Sequence, residues 1–264
     1  MPPVSQLPDP TPDPTPMTAL VTGAAHRIGR ALALTLAADG WLVALHYHRS
    51  ADAAQDLAEE IKREGGRAVT IGADLAREFE VQSLIARLVE QIGPLGLLVN
   101  NASMFERDEA MTVTRASWDL HMETNLRAPF VLSQGFAAQL PDGQSGSIVN
   151  IIDQRVWNLT PHFTSYSVSK AGLWALTQSL ALALAPRIRV NAIGPGPTLP
   201  SKHQTPEQFA SQCRSMPLQR GASLAEMAAA LKFILAAPSM TGQMIALDGG
   251  QHLCWSPQQG VAEE

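Results

Sequence analysis

From residue 18 to residue 247 the sequence alternates short apolar or β-branched runs with longer stretches of helical period, and few folds can accommodate that rhythm. A chain built this way makes a parallel sheet and covers both of its faces with helices. Strands are expected over 19–22, 41–47, 67–72, 95–99, 146–152, 187–193 and 244–247. Helices are expected over 27–39, 51–63, 78–91, 115–139, 165–184 and 224–236, the first ended by Gly40 and the second by Gly65 and Gly66. Seven strands joined by six helical crossovers, with no internal repeat or interior linker, predict one domain over 18–253. Residues 1–17 read as a disordered tail, because the first sixteen positions hold seven prolines, among them Pro8, Pro10, Pro12 and Pro14, which neither a helix nor a central strand tolerates. Residues 254–264 read as a C-terminal tail. The stretch 194–216 holds four prolines and is the least regular segment, where an active-site lid is expected.

Composition narrows the partners. The formal net charge of −5, without a Lys/Arg cluster, gives no electrostatic footprint for nucleic acid. No apolar run approaches the roughly 18 residues a membrane span needs. The two cysteines, Cys213 and Cys254, stand far apart and fit free thiols in a reducing compartment. The N-terminal segment has neither the charged start nor the apolar stretch of a secretory signal, so the cytoplasm is the expected location. His26, His121, His203 and His252 show no metal-ligand spacing, and no metal is expected.

The segment Thr22-Gly23-Ala24-Ala25-His26-Arg27-Ile28-Gly29 falls between the first strand and its helix. There glycines let the turn close and bring backbone N–H groups up to a pyrophosphate, the arrangement of a Rossmann-type, doubly wound α/β domain. The second strand ends in His46-Tyr47-His48-Arg49-Ser50, where such folds meet the adenosine ribose. An acid at that place would accept from the 2′-hydroxyl of NAD; Arg49 and Ser50 instead suit a 2′-phosphate and point to NADPH. The plainer alternative leaves Arg49 as a solvated charge and Ser50 as a helix cap. Asp74, with Leu75 beside it, could contact adenine, or it could cap the helix ahead. Asn100, Asn101, Ala102 and Ser103 follow the fourth strand, and amides there can hold neighbouring strands, the cofactor ribose, or both.

Tyr166 and Lys170 stand at i and i+4 on one helix and share a face. A cation beside a phenol stabilises its ionised form and draws its pKa from about 10 toward working pH, which suits a proton donor to a carbonyl or imine. Tyr-x-x-x-Lys alone occurs often on amphipathic helices; after the fifth strand of a nucleotide-binding sheet it reads as catalytic.

Taken together, the glycine turn at 22–29, Asn100-Asn101-Ala102 and the Tyr166/Lys170 pair resemble the short-chain dehydrogenase/reductase family, over nearly all of 18–253. By that resemblance Asn125 holds a water for proton relay, Pro195-Gly196 forms a loop over the nicotinamide, and Asp248-Gly249-Gly250 matches the family's ending. One position departs: where most members carry a catalytic serine, this chain has Asp153. The pteridine reductase and dihydromonapterin reductase branch is similar here, with Asp, Tyr and Lys as its catalytic set. The resemblance to that branch extends to 24–29, 46–50 and 101–105. It implies that Arg27 and Ser103 serve substrate and cofactor phosphates, that Phe105 stacks on a flat pterin ring, and that His48, Arg49 and Ser50 hold the 2′-phosphate. The carboxylate of Asp153 would offset part of the Lys170 effect and keep the phenol protonated until a ring nitrogen needs the proton.

The expected activity is hydride transfer from NADPH to a C=N bond of a dihydropterin or related pteridine, with Tyr166 managing the proton and Asp153, Tyr166 and Lys170 as the central set. A carbonyl reductase acting on a 3-oxoacyl thioester or another ketone is the rival enzyme. A silent NADP(H)-binding sensor or scaffold is the rival of another class. The resemblance also implies a homotetramer, with the helices over 115–139 and 165–184 paired across subunits.

Overall fold

The structure, a computed structural model, describes residues 15–201 and 204–254. Most of the two expected tails and His203 lie outside the described residues. Seven strands, β1 (Thr18–Val21), β2 (Leu42–Tyr47), β3 (Arg67–Gly72), β4 (Leu97–Asn100), β5 (Gly146–Ile151), β6 (Ile188–Pro195) and β7 (Met244–Leu247), join in one sheet of order β3-β2-β1-β4-β5-β6-β7. Every neighbouring pair is parallel. The chain winds outward from β1 to β3, then returns to lay β4 on the other side of β1. A crevice therefore opens beyond the carboxyl ends of β1 and β4, the place where doubly wound sheets take ligands.

Among the described residues eight α-helices accompany the strands: α1 (Arg27–Ala38), α2 (Ala51–Arg63), α3 (Glu78–Ile92), α4 (Arg115–Met122), α5 (Ala128–Gln139), α6 (Thr164–Ala183), α7 (Pro206–Ser215) and α8 (Leu224–Ala236). The period of two along each strand divides the core into two layers. Ala19 and Val21 of β1 and Leu97 and Val99 of β4 pack with Leu32, Leu57 and Leu231 of α1, α2 and α8. Leu20 and Leu98, between them in sequence, turn to the opposite face and meet Leu84, Leu132 and Leu180 of α3, α5 and α6. A fully buried leucine in either layer contributes about 1.5–3 kcal/mol relative to an exposed one. Ahead of β1, the Met17 carbonyl accepts from the Leu42 N–H at 2.9 Å and carries the ladder one residue further back.

Two elements depart from the sequence expectation. The single helix expected over 115–139 is α4 and α5 joined by a π-helical turn, Glu123–Arg127. The cause is Pro129, which has no N–H to give the Asn125 carbonyl four residues back and whose ring crowds that oxygen. The ladder widens by one residue, and the Ala128 N–H reaches the Glu123 carbonyl instead. The irregular stretch over 194–216 contains α7, which starts on a capping box. The Thr205 hydroxyl accepts from the Gln208 N–H, the Gln208 side chain accepts from the Thr205 N–H, and Pro206 occupies the first turn.

Candidate active site

All the candidate residues except Asn100 and Asn125 line one cleft of about 900 Å³ at the carboxyl end of the sheet. Its floor is the turn from β1 to α1. Gly23 has φ +63, and a Cβ on Gly29 would lie 2.3 Å from the Gly23 carbonyl oxygen and 2.5 Å from Asn101 Nδ2. Only glycine fits there, and the backbone is laid open to the cleft. Asn101 locks this turn to β4: its Nδ2 donates to the carbonyls of Thr22 (2.8 Å) and Gly23 (3.2 Å). In return the Thr22 hydroxyl accepts from the N–H groups of Asn101 (2.9 Å) and Ala102 (3.0 Å). The neighbouring Asn100 is buried and donates to Asn150 Oδ1 of β5 at 2.8 Å. Both amides hold strands together.

A residue not expected as part of the site fixes the same turn from the other side. His46 is 1% exposed at the end of β2. Its Nδ1 lies 3.1 Å from the Gly23 nitrogen and its Nε2 3.1 Å from the Ala73 carbonyl oxygen. A backbone N–H can only donate and a carbonyl can only accept, so the ring is neutral with its proton on Nε2. Burial, the largest influence, lowers its pKa to about 4 and keeps it so. Beyond it, His48 and Arg49 are exposed at the cleft edge. Ser50 precedes α2 without a side-chain capping bond, which leaves its hydroxyl to the cleft. Asp74 is committed to protein partners: Oδ1 accepts from the Ala76 N–H at 3.0 Å, and Oδ2 faces His48 at 3.6 Å and Arg77 at 3.4 Å.

At the other end of the cleft the Tyr166 hydroxyl donates to Asp153 Oδ2 at 2.8 Å. The second oxygen, Oδ1, accepts from the Arg155 N–H at 2.8 Å, because Asp153 caps the short 3₁₀ turn Gln154–Val156. The local cap fixes the carboxylate, and the carboxylate fixes the phenol. Lys170 lies behind the phenol, 2% exposed, with Nζ donating to the Ile151 carbonyl at 2.9 Å and standing 5.8 Å from the Tyr166 ring centroid. Burial, opposed by the charge of Asp153, brings its pKa from 10.5 down to about 8.

Three expected participants have structural partners of their own. Arg27, at φ 53, donates to the carbonyls of Pro200 (2.9 Å) and Leu199 (3.2 Å) in the segment after β6. Phe105 stacks on Phe163 with ring centroids 4.5 Å apart, and meets Tyr166 edge-on at 4.7 Å. Asn125 is fully buried, and its amide clamps the Met104 backbone at 2.8 and 3.0 Å and Ser169 Oγ at 3.1 Å. Among the described residues no group of three or more His, Cys, Asp or Glu could hold a metal ion, and no helix is long and apolar enough to cross a membrane.

A parallel doubly wound sheet with a glycine-lined turn at one end of its cleft and a Tyr/Lys pair with a carboxylate at the other defines a nucleotide-binding oxidoreductase class. The model of the short-chain dehydrogenases matches residues 17–209, and the chain belongs to that family, the short-chain dehydrogenases/reductases. Among curated proteins it is 34% identical over 244 residues to the 3-oxoacyl-[acyl-carrier-protein] reductase FabG of Staphylococcus epidermidis, covering 89% of this chain and 99% of the relative. Among solved structures it is similar to FolM alternative dihydrofolate reductase 1 from Brucella suis in complex with NADP. The identity is 48% and the TM-score 0.88, with 91% of this chain and 97% of that one covered. The corresponding protein from Brucella canis gives the same identity and TM-score. The likeness to the pteridine reductase branch thus extends from motifs to the whole fold.

Proposed function

We propose that the protein is an NADPH-dependent reductase of a pteridine C=N bond, acting on a dihydropterin or a dihydrofolate-like ring. The observation that carries this reading is the 2.8 Å hydrogen bond from the Tyr166 hydroxyl to Asp153, a carboxylate where most of the family has a hydroxyl. The FolM structures and their bound NADP support it. The cleft suits the dinucleotide: the cradle between Gly23 and Gly29 admits no side chain, and His48, Arg49 and Ser50 offer an imidazole, a guanidinium and a hydroxyl to a 2′-phosphate. NADPH, when bound, supplies the hydride.

The chain's own groups handle the proton. Asp153 keeps the Tyr166 proton on the phenol oxygen by accepting it in a hydrogen bond, and the hydroxyl turns from the carboxylate to the ring nitrogen as that nitrogen gains charge. The phenolate left behind faces the Lys170 ammonium group, which stabilises it. The Asn125 carbonyl, deprived of its helical donor by Pro129, holds a water that returns protons toward Lys170. Phe105 has one face covered by Phe163, so a flat substrate ring meets its other face. Arg27 and Ser103 serve the substrate edge and the cofactor phosphates, and Pro195-Gly196 covers the nicotinamide. In this reading the protein works in the cytoplasm as a homotetramer.

The FabG relatives favour a second reading, reduction of a 3-oxoacyl ketone. An NADPH-oxidation assay with 7,8-dihydrobiopterin, dihydromonapterin, dihydrofolate and a panel of ketones separates them. Turnover of dihydropteridines is expected, with Tyr166→Phe slowed by about 10²–10⁴-fold, the usual contribution of a general acid. Turnover of ketones alone would remove the pteridine reading, and turnover of none would leave a binding protein.

A further inference from the structure

Tyr166 stands in the first turn of α6, where a helix frays unless its exposed N–H groups are capped. The residue in the capping position, Phe163, is left-handed at φ 59 and offers no side-chain cap. The cap comes from Asp108, in the loop after β4. Its backbone carbonyl accepts from the N–H groups of Phe163 (2.8 Å) and Thr164 (3.4 Å). Its Oδ1 accepts from the Ser165 N–H at 3.1 Å, and its Oδ2 from the hydroxyls of Ser165 and, at 2.6 Å, Ser117.

The network has one consistent proton pattern. The Glu106 N–H, which can only donate, lies 3.1 Å from His121 Nε2. His121 therefore carries its proton on Nδ1 and gives it to Ser165 Oγ, 2.7 Å away. The Ser165 proton is left to go to Asp108, whose burial raises its pKa but whose hydrogen bonds from Ser117 and Ser165 outweigh that and lower it, favouring the carboxylate. Asp108, His121 and Ser165 are 5%, 0% and 0% exposed. Burial lowers the pKa of His121, in keeping with a neutral ring. The loop that carries Asp108 also carries Phe105, whose ring lies against both Phe163 and Tyr166.

We propose that Asp108, acting through Ser165 and His121, is a positioning residue for proton delivery: it caps the catalytic helix from outside and sets where the Tyr166 hydroxyl stands relative to Asp153. The role rests on the reading of Tyr166 as proton donor, and it leaves the glycine cradle, on the far side of the cleft, untouched. It is tested with Asp108→Ala, Asp108→Asn, Ser165→Ala and Tyr166→Phe, measured side by side. NADPH affinity is read by fluorescence, and kcat is taken per NADPH-binding site with the substrate identified by the assay above, so that misfolded protein does not enter.

Asp108→Ala is expected to lower kcat by about 10–100-fold while the Kd for NADPH stays within about twofold. Asp108→Asn, which keeps one acceptor for the Ser165 N–H, should fall between it and the wild type. Ser165→Ala, the mildest change, should lose several-fold in kcat and covers the case in which Asp108→Ala does not fold. Wild-type kcat per binding site in Asp108→Ala, or in Ser165→Ala if only that variant folds, overturns the positioning role while an inert Tyr166→Phe leaves the proton-donor reading standing. Full turnover by Tyr166→Phe, or turnover of no substrate in the panel, sinks the proton-donor reading and the positioning role with it.

Discussion

At the scale of single residues, the ammonium group of Lys170 is held where water cannot solvate it, and that has consequences of opposite sign for activity and stability. Its pKa of about 8 in the fold lies below the 10.5 of the unfolded chain. Between those values the unfolded chain keeps a proton that the folded chain has lost, so stability rises with pH there, by roughly 3 kcal/mol over the whole interval. The charged form that would stabilise a Tyr166 phenolate is lost over the same range. We expect kcat/KM for NADPH, which reports the ligand-free enzyme, to bend downward near pH 8. Urea unfolding should show the wild type gaining stability over Lys170→Met from pH 8 to 10.5. A rate profile flat to pH 9.5 would contradict the role assigned to Lys170. That Asp153, Tyr166 and Lys170 come together was legible through the family resemblance, which singles out position 153, and through the i, i+4 spacing of Tyr166 and Lys170 on one helix. His46 and Asp108 could not, because each acts on a backbone group that only folding brings near. His46 reaches Gly23 from the next strand, and Asp108 reaches Ser165 from 57 residues away. His46 stands in the 46–50 segment already singled out, but nothing there marks its contact with Gly23, and nothing around Asp108 marks its contact with Ser165.

At the scale of elements, the cofactor turn depends on contact between backbones. The Cβ of Gly29→Ala would fall 2.3 Å from a backbone oxygen, and no side-chain rotation relieves such an overlap. Either the β1–α1 turn opens or α1 shifts, at a cost of about 1–3 kcal/mol as in other overpacked sites. Both movements displace the N–H groups that would meet the pyrophosphate. The expected outcome is NADPH binding weakened at least tenfold in a protein that still folds, measured by fluorescence titration and thermal melting. Affinity within twofold of wild type would show that the dinucleotide does not use this turn. The strands and most helices were readable because burial on both faces imposes continuous apolar runs. Two elements escaped for different reasons. The signs of α7 were present in Thr205, Pro206 and Gln208, but the surrounding prolines masked them. The π turn came from the missing N–H of Pro129, a local fact whose effect appears four residues earlier, at Asn125, where the helical pattern shows no break.

At the scale of the whole molecule, α6 has two faces and the active site accounts for only one. Tyr166, Lys170, Leu173 and Thr177 point into the protein, whereas Val168, Ala175 and Leu182 lie at helical spacing on the opposite face, with Val168 41% and Leu182 84% exposed. A monomer would leave this row, interrupted only by the exposed Gln178 and Ser179, in water at the back of its catalytic helix. A twofold axis would set the row against its own copy, and the small Ala171 and Ala175 would let the two helices approach closely. One such contact closes at a pair, and the homotetramer proposed above needs a second; on that reading the expected particle has about four times the 28.3 kDa chain mass by light scattering. Ala175→Arg places a charge in the middle of the row and should break the particle into smaller species. The same helix holds Tyr166 and Lys170, so turnover should fall with assembly. It should recover in part at high protein concentration, where mass action restores the contact. A wild-type particle of single-chain mass, or an Ala175→Arg particle of unchanged mass, would mean that a second copy of the chain does not cover this face.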